Sequence, residues 1–125
     1  SDPTYRRILD PLRHAARSGK EALILGDLNQ FGQCMIDNTH AQAELHPSLV
    51  SEDARSVIEL AREHGAVGWK VNGAGGEGGS VTLLMGTRGE DKRAFMEALP
   101  KLNPDFQLIP IYLSRMGLRR WVVDC

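Results

Sequence analysis

The sequence has 125 residues, a formal net charge of -1, 42% hydrophobic residues and 25% charged residues, ordinary proportions for one globular domain long enough to bury a core. So even a charge balance gives no electrostatic reason to expect a nucleic-acid partner, and no basic run of five or more residues occurs. The apolar runs are a handful of residues long, against the roughly 20 that a membrane span needs, and no signal-peptide pattern is present, so the expectation is a cytoplasmic protein with no membrane partner.

Asp2 followed by Pro3 predicts a helix start, a capping side chain and then a residue whose missing N–H is harmless in the first turn. Tyr5, Ile8, Leu9, Leu12 and Ala16 recur at helical spacing, with Pro11 a kink or break and Gly19 a stop. A second short helical run spans Lys20 to Leu25. Asp27 then caps a longer helix whose buried stripe is expected at Leu28, Phe31, Met35 and Ile36, with Gly32 admitting a close neighbour. Pro47 ends that region. Ser51, Glu52 and Asp53 open a third helix with its stripe at Val57, Ile58 and Ala61 and its stop at Gly65.

After Gly65 the period changes. Val67, Trp69 and Val71 alternate with Gly68, Lys70 and Asn72 as a strand requires, and Val81 to Met85 forms a second strand. Asp91 to Leu102 reads as a helix with Phe95, Met96 and Leu99 apolar and Pro100 as an early end. Phe106 to Leu113 is a third expected strand, interrupted by Pro110, and Leu118 to Val123 a fourth after a turn at Met116-Gly117. This order predicts an α+β two-layer sandwich, a mostly antiparallel four-stranded sheet with helices packed on one face. Cys34 and Cys125 form no disulfide framework and read as free thiols, suited to a reducing compartment. His14, His40, His46 and His64 lack an i, i+4 pairing, so no metal site is expected from them.

Between the first two strands lies NGAGGEGGS, with five glycines in the seven positions 73–79. Glycine loses more conformational freedom on folding than any other residue, so such a cluster points to positive φ or to close approach. Gly73, Gly75 and Gly78 fit the bare pattern G-x-G-x-x-G, but a dinucleotide site needs a helix after the loop and here a strand follows. A Walker loop needs a closing Lys-Ser or Lys-Thr pair, which is missing. The protein-kinase set V-A-I-K, H-R-D and D-F-G is also missing. What is left is a hairpin loop whose bare N–H groups can cup an anion, or an unusually wide turn.

Lys70 to Leu84, KVNGAGGEGGSVTLL, resembles the third motif of the GHMP kinases, the small-molecule kinases named for galactokinase, homoserine kinase, mevalonate kinase and phosphomevalonate kinase. That motif runs roughly K-[LV]-[ST]-G-A-G-G-G-G before an apolar strand. Gly26-Asp27-Leu28, Phe31-Gly32, Met35, Asn38, the helix from Ala54 to His64 and the junction Gly65-Ala66-Val67-Gly68 are similar to the segments that precede it. The resemblance covers about two-thirds of the chain, from near Gly26 to near Leu102, and looks more like the mevalonate and sugar or heptose-phosphate kinase branches than like homoserine kinase. Asn72 stands where the family has Ser or Thr, and its amide still donates. Glu77 places a carboxylate in the loop, which implies that the tip contacts phosphate less directly.

The resemblance implies that residues 1–125 are a single domain, a ferredoxin-like C-terminal lobe. The N-terminal lobe of the family, with its P-x-x-x-G-L-G-S-S-A-like phosphate loop, catalytic Asp and Mg²⁺ ligands, has no counterpart in this sequence. ATP and Mg²⁺ would then be cofactors of the full enzyme held mainly by that lobe, and a sugar, sugar phosphate or mevalonate-like alcohol its substrate. Gly73, Ala74, Gly75, Gly76, Gly78 and Gly79 become the nucleotide-side candidates. Lys70, Asn72 and Ser80 become substrate-side candidates, with no catalytic residue or metal ligand in this chain. For Lys70 a solvated surface role stays open, and for Ser80 simple strand opening. Trp69 and Trp121 are expected in core or interlobe packing. Two other readings remain: a stand-alone α+β ligand-binding or regulatory module, and a homodimer formed through an exposed strand edge.

Overall fold

The computed structural model describes residues 3–73, 79–111 and 116. The Asp2 cap, the side chains of Tyr5 and Ile8, loop residues Ala74, Gly75, Gly76, Glu77 and Gly78, the end of the third expected strand at Tyr112 and Leu113, Gly117, the fourth expected strand with Trp121, and Cys125 lie outside the described residues.

Helix α1 runs unbroken over Pro3–Leu25, through both residues expected to interrupt it. Pro11 and Arg7, the residue whose carbonyl loses its donor, are both exposed, so water can take the missing bond. Gly19 is no stop, because it is where the next helix packs: a Cβ there would sit 3.6 Å from the Cβ of Cys34. The stop falls at Gly26, in the left-handed region with φ +72°. Its N–H bonds to the Leu23 carbonyl at 3.2 Å and the Asp27 N–H to the Ala22 carbonyl at 2.9 Å, the paired bonds of a Schellman stop. Asp27 also caps α2, Leu28–Leu45, accepting from the Gln30 N–H at 2.9 Å.

The buried stripe of α2 is Gly32, Cys34, Met35, Thr39 and Ala41. Leu28 does not join it and is 55% exposed, because it lies at the open corner between the two helices. A one-turn 3-10 helix, Pro47–Leu49, leads to α3, Glu52–Glu63. Ser51 caps α3 through the Ala54 N–H at 3.1 Å, and Gly65, with φ +77°, turns the chain out of it.

Strands β1, Ala66–Asn72, and β2, Ser80–Met85, pair antiparallel with Val71 opposite Val81 and Trp69 opposite Leu83. One face of this hairpin is apolar. Val71 packs with Val50, Ala54, Ile58 and Val81. Leu83, Met85 and Ala66 join a second cluster around Ala61 of α3 and around Phe95 and Leu99 of α4, which spans Gly89–Leu102. Thus α3 lays Ala54, Val57, Ile58 and Ala61, one helical stripe, across both clusters. Pro100 does not end α4 early, since it stands exposed in the last turn beside Met96, itself 42% exposed, where solvent can serve the carbonyl left without a donor.

Helix α2 reaches that face only at its C-terminal end, where Ala43 packs on the cluster of Val50, Ala54 and Val71. For the rest it runs along the edge of β1 that β2 leaves unpaired: the Thr39 hydroxyl shares its proton between the Met35 carbonyl at 3.1 Å and the Trp69 carbonyl at 3.2 Å and accepts from the Val71 N–H at 3.4 Å. The expected single helical layer is therefore divided between a face and an edge, and α2 shields the edge from other strands.

The described sheet has two strands instead of the four expected. Residues 106–111 form no strand. Phe106 turns into the cluster of Ala61, Phe95 and Leu99, its N–H bonded to the Asn103 carbonyl at 3.2 Å. Beyond it Ile109 and Ile111 are each 70% exposed. Pro110 has no N–H to offer a ladder, so β-forming composition alone does not make a strand here.

Gly32 and Gly68 touch backbone to backbone. A Cβ on Gly32 would run into the Val67 carbonyl, and one on Gly68 would come within 2.5 Å of the Gly32 Cα. Gly32→Ala is expected to lower the free energy of unfolding by about 1–3 kcal/mol, as overpacking does. Gly89→Ala, where nothing lies within 4 Å, should change it by less than about 0.5 kcal/mol. Urea denaturation of both variants checks this, and equal effects would refute the close-approach account.

Candidate functional site

Strand alternation puts the polar residues of the hairpin on the face away from the core. Lys70 lies opposite Thr82 and Asn72 opposite Ser80. The Asn72 amide donates from Nδ2 to Thr82 Oγ1 at 2.8 Å and to Ser80 Oγ at 3.3 Å, so these side chains share one strip. Of the expected substrate-side residues, Lys70, Asn72 and Ser80 are thus brought together.

The strip leads to the loop. Residues 73–79 separate the paired Asn72 and Ser80, a longer connection than the two to five residues of an ordinary hairpin. Gly73 leaves β1 with φ +81° and Gly79 enters β2 with φ +123°. Only glycine adopts such values freely, so both ends of the loop depend on it. Apart from its chain neighbours, no other described residue lies within 4 Å of the position a Cβ would take at Gly73. Ala74, Gly75, Gly76 and Gly78, the remaining nucleotide-side candidates, lie outside the described residues.

Lys70 is half-buried, and its ammonium donates to the Gln42 side-chain carbonyl at 3.3 Å and to the Val71 carbonyl at 3.0 Å. Burial lowers its pKa from the ordinary 10.5, because neutral oxygens do not fully replace the water removed from the charge. A freely solvated lysine is not what is found.

Gln42 and Thr39 escaped the sequence reading. The available signal was their spacing: Gly32, Met35, Thr39 and Gln42 recur at three or four residues, so polar groups continue the face of α2 that begins at the close-contact glycine. Trp69 points to the apolar side, half-buried, with the Arg62 guanidinium 6.0 Å from its ring centre. It borders an open depression of about 390 Å³ with Ile36, Glu59, Glu63 and Val67. None of the described candidate residues lines that depression. Among the described residues no three His, Cys, Asp or Glu side chains come together as a metal ion would require.

No protein-family model and no curated protein matches the sequence. Among solved structures, the crystal structure of L. major mevalonate kinase in complex with R-mevalonate is similar, with a TM-score of 0.66 and 25% sequence identity, over 79% of this chain and 29% of that chain. The chain therefore has a GHMP kinase-like fold and spans less than a third of that kinase.

The sign of the Lys70 pH dependence follows from its lowered pKa. Below the folded-state value both states carry the charge, and the folded state bears the full loss of hydration. Between that value and 10.5 the unfolded state binds more protons, so stability rises with pH, and above 10.5 the penalty is gone. Lys70→Met is expected to be more stable than the parent at neutral pH, the gap closing as pH rises toward 10.5. Chemical denaturation across that range measures it, and a gap that widens would contradict the assignment.

Proposed function

We propose that this chain is the C-terminal lobe of an ATP-dependent small-molecule kinase of the GHMP type, one that transfers a phosphoryl group to a hydroxyl of a sugar, sugar phosphate or mevalonate-like alcohol. The likeness to a mevalonate kinase over 79% of the chain carries this reading. The glycine-rich loop with positive φ at both ends supports it.

In this reading Gly73, Ala74, Gly75, Gly76, Gly78 and Gly79 form the nucleotide side. Their backbone N–H groups favour negative charge, and the five glycines, having no side chain, permit close approach. Lys70, Asn72 and Ser80 form the substrate side. Phosphoryl transfer depends on holding phosphates, metal and acceptor together. A bound ATP with Mg²⁺ would supply the phosphoryl group, and an N-terminal lobe would supply the main phosphate loop, the metal ligands and the catalytic acid. The chain by itself is then a partner in the cleft and not a catalyst.

A phosphoryl-transfer assay with Mg·ATP and a panel of mevalonate, galactose and sugar phosphates tests this, run on this chain alone and on the protein extended by its upstream coding segment. Turnover is expected only from the extended protein, and Gly73→Val there should lower kcat/KM by about a hundredfold through misplacement of the loop. Turnover by this chain alone, or none from an extended protein, would overturn the reading.

A second reading, self-association as an interaction module, is favoured by one feature. Leu23, Ile24, Leu25 and Leu28 are 53%, 73%, 81% and 55% exposed at the corner between α1 and α2, an apolar patch of the kind that marks contact surfaces. Sedimentation equilibrium of the chain and of Leu25→Lys separates the two. A dimer that Leu25→Lys dissolves supports association, and a monomer at high concentration removes it.

A further inference from the structure

An ammonium carries only donors, so every oxygen held against it acts as an acceptor. The two oxygens at Lys70, from Gln42 and from Val71, are both neutral. Ion pairs among the described residues join Arg13, Arg62 and Arg88 to carboxylates, and none reaches Lys70. In a chain with 16 acidic residues, a half-buried cation kept away from every described carboxylate retains charge that an anionic ligand can satisfy. The contact also fixes the Gln42 amide. Its oxygen must face the ammonium, so its NH₂ group turns away as a further donor. Across the strand, the Thr82 hydroxyl already accepts from Asn72 at 2.8 Å, which leaves its own proton to donate. The strip thus offers one positive charge and several donors.

We infer that this strip is an oxyanion-binding surface that takes the phosphate or carboxylate group of a small polar ligand on Lys70, with Gln42 as the positioning residue that holds the ammonium in place. The inference deepens the kinase reading and rests on it for the ligand's role, while the contacts themselves need no nucleotide. Lysine serves as a point charge for such groups, and a neutral amide can steer it without quenching it. A carboxylate at position 42 would do the opposite, occupying the ammonium with an internal partner.

The test is an NMR titration of the full 125-residue chain, isotope-labelled at lysine, with inorganic pyrophosphate in one arm and acetate in the other. A saturable shift of the Lys70 side-chain resonance is expected, the responding arm identifying phosphate or carboxylate as the group recognised. Gln42→Met should weaken binding severalfold, read at the same Lys70 resonance. Gln42→Glu should weaken it about tenfold while raising the pH at which Lys70 titrates, a signature that a merely structural role would not produce. No Lys70 shift with either anion, shifts shared equally by the other lysines, or wild-type binding by Gln42→Glu would each overturn the inference. Failure here leaves the kinase reading intact, because that is decided by turnover in the extended protein. Failure of turnover leaves the anion site intact.

Discussion

The backbones of α2 and β1 meet at Gly32 and Gly68 with no side chain between them, and the placement of the hairpin follows from that contact. A helix normally stands off a strand by the length of its side chains. Removing them at both partners lets α2 settle against the strand's edge, where Thr39 reaches the Trp69 carbonyl and the Val71 N–H. One hydroxyl then serves two backbone groups that a neighbouring strand would otherwise satisfy, so among the described residues this stretch of the edge is closed by a helix. Further along the same helical face, Gln42 reaches Lys70. Close approach, edge bonding and lysine placement are thus successive contacts of one face of α2.

The hairpin itself separates two kinds of work. Its apolar face is committed to the clusters around Val50, Ala54 and Val71 and around Ala61, Phe95 and Leu99. Its polar face carries Lys70, Asn72, Ser80 and Thr82, tied across the strands by the Asn72 amide. A glycine-rich connection is unfavourable in conformational entropy, so its retention between the two strands calls for a reason beyond simple chain reversal. The loop begins and ends at positive-φ glycines, which makes its exit from the sheet a property of backbone geometry and not of packing.

Much of this was legible in the residues. The Asp27 and Ser51 caps, the stop at Gly65, the hairpin and the close-contact role of Gly32 all depend on local chemistry that a short window contains, and each is found. The failures share a cause in tertiary context. Gly19 reads as a stop until Phe31 and Cys34 are seen to pack on it, and helix stability drawn from packing outweighs its weak propensity. Residues 106–111 read as a strand because β propensity describes a half-buried pleated surface, and Ile109 and Ile111 have no such surface under them. At the candidate site, the polar strip was visible as alternation, but Gln42 was not, because its partner lies 28 positions away in sequence.

Ala15, Ala22, Ala41, Ala54 and Ala61 supply much of what is buried, and among the described residues no large side chain is fully enclosed. Alanine removes little apolar area from water, so such a core permits close helix packing while contributing modestly to stability. Meanwhile Ile24 and Leu25, which would contribute more, are 73% and 81% exposed. Large apolar groups left in the open at the corner between α1 and α2 are of the kind that mark contact surfaces, while Phe95 and Leu99 supply the larger buried groups elsewhere. The interior is thus suited to close backbone approach, as at Gly32 and Gly68, while that corner holds large apolar surface in the open.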